Sequence, residues 1–281
     1  MIKLFSLLFI VLSNFIFGQN MQNGQEKLFY EQKNVFLQNK NPDETLASVI
    51  KKTAQSFIGY PYIEHSLEVS ENEDLVVNLK GFDCTTFVET VLALSRTFIV
   101  NEDYNYFKKE LSGIRYRNGI MNGYCSRLHY FSEWISDNVK KKIVKDITRE
   151  LEGEKKTFDV SYMSSNPKFY SALISSPERI DTIRNIEKRI SELEFYVIPK
   201  HKIKIIEAKI NEGDIIAFTT SFSGLDVGHI GIAVRDSQGK LNLIHAPSAG
   251  KLVQITNKPL SDYIINIKKH TGIIVAHPLL N

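Results

Sequence analysis

Apolar residues recur at helical spacing through the first half of the chain and alternate with polar ones towards its end. Leu46, Val49, Ile50, Thr53 and Phe57 share one face of a helix that Asn41-Pro42-Asp43 opens and Gly59 ends. Gly59-Tyr60-Pro61-Tyr62 reads as an extended turn, followed by a polar loop and a short strand over residues 75–79. The next helix, from Thr85 to about Phe98, carries Phe87, Val88, Val91, Leu92, Ala93, Leu94 and Phe98 around most of its circumference, which predicts burial. Leu128, Phe131 and Ile135 mark a further helix beginning near Arg127. Residues 139–165 are charged and read as a strand pair, and Pro167 and Pro177 each open a helix from the favoured first turn.

From residue 195 the period changes. Residues 195–198, 214–219, 229–235, 241–246, 252–255 and 273–276 are short β-branched runs separated by turn residues, with Asp236-Ser237-Gln238-Gly239 as a hairpin turn between the third and fourth. Helices first and antiparallel strands last define an α+β chain.

Composition adds compartment and class. The 281 residues are 43% apolar and 24% charged, enough for one large core and one domain. Lys3 followed by an apolar run from Leu4 to Phe17 reads as a signal peptide over 1–18, too short for a confident membrane span. No cysteine follows it, which argues against a lipid anchor. The mature chain is therefore expected to be exported, periplasmic or secreted, and without stable membrane insertion. Residues 19–40 are Gln- and Asn-rich and read as a flexible arm, leaving 41–281 as the functional domain. The formal charge of +3 becomes +2 without Lys3, too little to argue for a nucleic-acid partner.

Two cysteines are present, Cys84 and Cys125. Counting alone allows one bridge between them, but Cys84 makes better sense as a reactive site at the first turn of the buried helix. A helix N-terminus favours the thiolate by about 0.3–2 kcal/mol. Lowering a thiol from ~8.5 to ~4 needs roughly 6 kcal/mol, so an imidazole partner is required. His229 opens one strand and His245 closes the next, so a hairpin turned at Gly239 sets them side by side at one sheet edge. A base beside the thiol and a second group orienting it is the logic of an activated nucleophile. A lone His229 would more simply cap a strand, and a zinc site would need all three groups to converge. Cys125 reads as a small buried hydrophobe, and Arg115 and Arg117 as a solvated face.

These residues resemble the NlpC-type cell-wall cysteine peptidases, which have a papain-like fold. The shared features are Asp83-Cys84 opening a core helix, Gly228-His229-Ile230-Gly231, Ile244-His245-Ala246 and Pro61-Tyr62. Residues 82–89, Ser126-Arg127-Leu128-His129-Tyr130, residues 134–138 and Gly224-Leu225-Asp226-Val227 are similar to one branch, formerly a domain of unknown function, associated with N-acetylmuramoyl-L-alanine amidase activity. Thr85 and Thr86 stand where the wider superfamily usually has Ser-Gly, which favours that branch. The resemblance implies Cys84 as nucleophile, His229 as base and His245 as its orienting residue. It implies Tyr62 near the oxyanion region and Asp83, Ser126 and Arg127 as substrate-binding residues, Arg127 as a clamp on a peptide carboxylate. Asp83 and Ser126 also read as helix caps. No metal or organic cofactor is expected, and the partner is peptidoglycan or a muropeptide fragment bound by a monomer. The competing readings are a γ-D-glutamyl–diamino acid endopeptidase, a non-catalytic peptidoglycan-binding module and a transglutaminase-like hydrolase.

Overall fold

The computed structural model describes residues 24–68, 73–174 and 176–280. The expected signal peptide lies outside these residues. Helices fill the first half: α1 (24–38), α2 (Leu46–Ser56), α3 (Cys84–Ile99), α4 (Tyr104–Arg115) and α5 (Phe131–Lys140). Short α6 (Tyr162–Ser165) and α7 (Ser171–Ile174) lead into α8 (Pro177–Ser191), and α9 (Ile203–Ile206) and α10 (Leu260–Ile265) sit among the late strands. The strands are β1 (Val144–Asp146), β2 (Glu154–Lys156), β3 (Phe195–Pro199), β4 (Ile215–Thr220), β5 (Val227–Arg235), β6 (Leu241–His245), β7 (Gln254–Ile255) and β8 (His270–Pro278). They form one eight-stranded sheet in the order β2-β3-β8-β4-β5-β6-β7, with β1 also on β8 and every pairing antiparallel. The α+β expectation matches this arrangement.

Strand alternation divides the interior in two. Ile215 and Ala217 of β4, Ile230 and Ile232 of β5 and Ile244 of β6 face the large helical layer containing α3. Ile216 and Phe218, Ala233 and Leu243 point the other way, onto Ile203, Ile206, Leu260 and Ile264 of α9 and α10. Thr86 to Phe98 of α3 are all buried, as an all-round apolar helix requires.

Several sequence expectations are corrected. Residues 24–38, placed in a flexible arm, are helical, and Phe29 and Phe36 are buried. Phe29 meets the rings of Phe98, Tyr104 and Phe107 at 5.5 Å between centroids. The buried stripe of α1 includes Gln25, whose side-chain oxygen accepts from the Leu79 backbone N–H at 2.8 Å. Polar members of the stripe hide its amphipathic period. Residues 75–79 form no strand; the segment is instead held by side chains such as this glutamine. The 139–165 region contains β1 and β2, yet they pair with β8 and β3 and not with each other. Pro177 opens α8, whereas Pro167 opens only a single 3-10 turn. Arg115 is not solvated: it is 2% exposed at the end of α4 and donates from Nε to the equally buried Glu89 at 2.7 Å. Arg117 is partly buried and pairs with Glu133 at 2.7 Å.

If α1 is part of the core, Phe29→Ala costs about 3–5 kcal/mol, the usual penalty for emptying a buried aromatic site. Denaturant unfolding of the protein measures this, and an unchanged midpoint would return 24–38 to a loosely attached arm.

Candidate active site

Cys84 is the first residue of α3, and its position is set by a closed cap. Asp83 Oδ1 accepts from the Thr86 backbone N–H at 2.8 Å, and the Thr86 hydroxyl accepts from the Asp83 N–H at 3.0 Å. Ser66 donates to the other Asp83 oxygen at 3.0 Å. The carboxylate that the sequence offers to substrate is therefore engaged at both oxygens by the protein. Upstream, the Phe82 N–H donates to Pro61 O and the Ile63 N–H to Phe82 O, each at 3.0 Å, laying residues 61–63 beside 82. This close approach needs Gly81, because a Cβ there would stand 2.8 Å from Pro61 O. Tyr62 is thereby held near Cys84, and burial, Cys84 and Asp83 raise its phenol to about 12, so it remains an O–H donor.

The histidines come from the opposite side. His229 follows a β-bulge at which Phe218 pairs with His229 but Thr219 with Val227, leaving Gly228 as the extra residue. His229 and His245 share the α9–α10 face of the sheet as diagonal neighbours, and Gly231 between them carries no side chain. A Cβ at Gly231 would lie 2.7 Å from Leu243 Cγ and would push β6 and its histidine away. His229 Nε2 and His245 Nδ1 meet at 2.7 Å, with the rings near perpendicular at 75°. This bond leaves Nδ1 as the His229 nitrogen available for a thiol proton. Phe218 stacks on the His229 ring at 5.9 Å.

Cys84 and His229 line one cavity of about 130 Å³ between α3, β5 and the 128–134 segment; His129, Tyr130, Trp134 and Asp226 complete its polar and aromatic wall. The thiol keeps partial access, but its surroundings are largely protein. Burial, then the Asp83 charge, push it up to about 11, against the backbone N–H of Ile230 and the Thr85 hydroxyl, which favour the anion. Burial also drives His229 well below 6.5, assisted by His245 and His270. Both shifts favour the uncharged forms. Burial outweighs the helix terminus at the thiol, opposite in direction to the depression expected of an activated cysteine.

Ser126 and Arg127 are placed differently from their expected roles. Ser126 lies in a 3-10 turn, far short of the α5 start at Phe131, and caps no helix. Its hydroxyl accepts from Asn122 N–H at 2.9 Å and donates to Gly123 O at 2.7 Å, closing that loop. Arg127 is 7% exposed and gives Nε and Nη2 to the two oxygens of Glu73, at 2.9 and 2.6 Å, and Nη1 to Glu68 at 2.8 Å. The bidentate fork expected to grip a substrate carboxylate grips the protein's own. His129 donates from Nε2 to Tyr124 O at 3.0 Å, and burial, then Arg127, lower it to about 3. Cys125 is partly buried, and neither cysteine is in a disulfide. Among the described residues no group of three or more His, Cys, Asp or Glu is arranged to hold a metal ion.

Residue reading missed Phe218, Tyr263 and His270, which surround the imidazoles. Only their aromatic character signals them; Phe218 and His270 arrive through the pairing of β4 with β5 and β8, and Tyr263 through the packing of α10 on the sheet. Asp226, quoted within a motif, turns out to accept from the Ser132 N–H at 2.6 Å and from its neighbour Val227 N–H at 2.7 Å, so it anchors α5 to the start of β5.

Comparison with known proteins finds the chain similar to amidase-like proteins. Crystal structures of an N-acetylmuramoyl-L-alanine amidase from Bacteroides uniformis align at 38% identity with a TM-score of 0.79, over 83% of this chain and 98% of that one, and at 37% with 0.80. A candidate xylanase from Bacteroides fragilis aligns at 38% identity and a TM-score of 0.77, over 80% of this chain and 99% of that one. A Legionella pneumophila protein at 20% identity and a TM-score of 0.69 shares the fold, over 93% of this chain and 95% of that one. No curated protein matches. The chain belongs to the AmiA-like family, described as N-acetylmuramoyl-L-alanine amidase-like, which matches residues 52–273. A glycosidase site normally needs two carboxylates flanking the bond. Of the residues lining this cavity only Asp226 has a carboxylate, and backbone N–H groups hold it.

Two outcomes follow from the charge states. The Cys84 alkylation rate with iodoacetamide should climb through pH 8–11; a rate already level below pH 7 would mean a preformed ion pair. His245, 1% exposed, is lowered by burial from 6.5 to about 4. The unfolded chain takes up that proton first, so the contribution is complete above about 6.5 and is lost as pH falls towards 4, roughly 3 kcal/mol in all. Urea unfolding between pH 7.5 and 4 should show a shallower acid loss in His245→Asn than in wild type; equal slopes would contradict the assignment.

Proposed function

We propose that this protein is a cysteine-dependent peptidoglycan amidase of papain-like fold, within the NlpC-type superfamily. It cleaves the amide between N-acetylmuramic acid and the L-Ala of the stem peptide. The observation that carries this reading is the 2.7 Å bond between His229 and His245 at the cavity containing Cys84. Membership of an amidase-like family supports the substrate class, and the Thr85-Thr86 pair supports this bond over the γ-D-glutamyl bond.

The resting pair is neutral. As Cys84 Sγ attacks the lactyl carbonyl carbon, His229 Nδ1 takes the thiol proton, and the carbonyl π electrons move to oxygen. The Cys84 backbone N–H, free of helical bonding at the first turn, and the Tyr62 hydroxyl donate to that oxyanion. His245 Nδ1 accepts from Nε2–H of the imidazolium and holds its plane. Collapse expels the L-Ala amine, which receives the proton from His229, and leaves a thioester on Cys84. Water, deprotonated by His229, then releases the muramyl acid and returns the thiol. No metal or organic cofactor enters this sequence. We assign its setting as the exported compartment, with the chain acting as a monomer; among the described residues no helix is long and apolar enough to cross a membrane.

Mass spectrometry of a defined disaccharide-tetrapeptide, and of its anhydro-muropeptide counterpart, tests the bond. Free tetrapeptide and intact disaccharide are expected, with Cys84→Ala and His229→Ala lowering the rate at least ~10³-fold and EDTA without effect. A disaccharide retaining L-Ala-D-Glu would move the cut to the endopeptidase bond. No cleavage of either substrate would leave a peptidoglycan-binding module.

A further inference from the structure

The His229–His245 bond raises a question about the far side of His245. If His229 Nδ1 is to receive the thiol proton, His229 must carry its own proton on Nε2 and donate it to His245 Nδ1. A neutral His245 then carries its proton on Nε2. That nitrogen is fully buried, and no oxygen or nitrogen accepts from it among the described residues. Without something to favour it, this tautomer is at a disadvantage against the one with Nδ1–H, which would reverse the bond and occupy the lone pair of His229 Nε2. His229 would then hold its proton on Nδ1, facing the thiol, and fail as a base.

The ring of Tyr263 stands against His245, perpendicular at 87° with 5.4 Å between centroids. An aromatic face bears negative charge density and accepts an N–H weakly but directionally. Tyr263 is well placed to stay where it is. Its backbone N–H donates to Pro259 O at 2.8 Å at the start of α10, and its ring meets Phe218 edge-on at 6.0 Å. Phe218 in turn stacks on His229 at 5.9 Å, and His229 meets His245 at 4.9 Å. Four rings thus close a circuit in which each fixes the tilt of the next.

We propose that Tyr263 is a positioning residue for the base: its ring face receives His245 Nε2–H and selects the His245 tautomer that keeps His229 Nδ1 open to the thiol. It touches no reacting atom. A carboxylate in the place of His245 would have a single acceptor role and need no such selection; an imidazole has two tautomers, and the ring face decides between them. The same face also favours the positive charge that His245 shares when His229 is protonated. The inference rests on the cysteine–histidine reading above.

The test compares Tyr263→Phe, which keeps the face, with Tyr263→Leu and Tyr263→Met, which remove it at similar bulk. Muropeptide cleavage is followed alongside the ¹⁵N imidazole shifts of His245. Tyr263→Phe should stay within about two-fold of wild type, while Tyr263→Leu should lose about five-fold in kcat at unchanged KM, the scale of one N–H···π contact. The ¹⁵N spectra should show Nε2–H at His245 in wild type and Tyr263→Phe, and a growing Nδ1–H population in the Leu and Met variants. Wild-type tautomer and kcat in Tyr263→Leu would overturn the proposal, as would a Phe variant as impaired as the Leu variant, which would assign the effect to the hydroxyl. If wild type cleaves no muropeptide, the catalytic reading fails by itself, and the spectra still decide the tautomer. Should the Leu variant not fold, the Met variant carries the comparison.

Discussion

A thiol and two imidazoles share an interior in which burial favours the uncharged form of each. Cys84 is pushed up and His229 and His245 down by the same cause, removal from water, and the small favourable terms from the α3 terminus and the Ile230 N–H do not reverse it. Much of the surrounding structure serves this constraint. Phe218 covers one face of His229, Gly231 clears the path between the histidines, and the bulge at Gly228 places His229 at the end of the sheet. In the proposed mechanism, charge arises only when a substrate carbonyl takes part, at the moment when nearby donors are useful. Buried, oriented dipoles act more strongly there than in water.

Apart from Asp226 in the cavity wall, the buried ion pairs sit one layer further out and join parts of the chain. Glu89 and Arg115 join α3 to α4, and Arg127 ties Glu73 and Glu68 to the segment that ends in the cavity wall at Leu128. Tyr116 adds its hydroxyl to Glu73 at 2.8 Å. Breaking such a pair by removing one partner is costly because the other charge stays buried. These networks hold residues 66–68 and 73–76 against the helical layer. They also explain why Ser126-Arg127-Leu128-His129-Tyr130 has so polar a sequence and so little exposure. Its hydrogen bonds close loops and seat helices, and only the Leu128, His129 and Tyr130 side of it reaches the cavity.

The candidate site and the fold meet at a junction between two layers. α3 belongs to the helical side, with Cys84 at its tip. The histidines belong to the other face of the sheet, among the side chains of α10. They meet because β5 begins where α3 begins, so that the ends of interior strands form the site. A location at the strand ends leaves one side of the thiol and of His229 approachable while His245 stays covered, with Phe218 and Tyr263 behind the imidazoles.

The local patterns determined a good deal. The all-round apolar run after Cys84 required a buried helix, alternation after residue 195 required strands, and the turn at Asp236–Gly239 brought His229 and His245 near each other, because helix and hairpin geometry are set by spacing within a few residues. Tertiary structure decided the rest. Residues 24–38 look polar because Gln25 is buried through a hydrogen bond and not through apolarity. Arg115 and Arg127 read as solvated or substrate-facing because a sequence does not say which distant carboxylates will meet them. The neutrality of the thiol, and the ring of Tyr263 beside His245, depend on how much water the assembled layers exclude, a quantity that no stretch of sequence contains on its own.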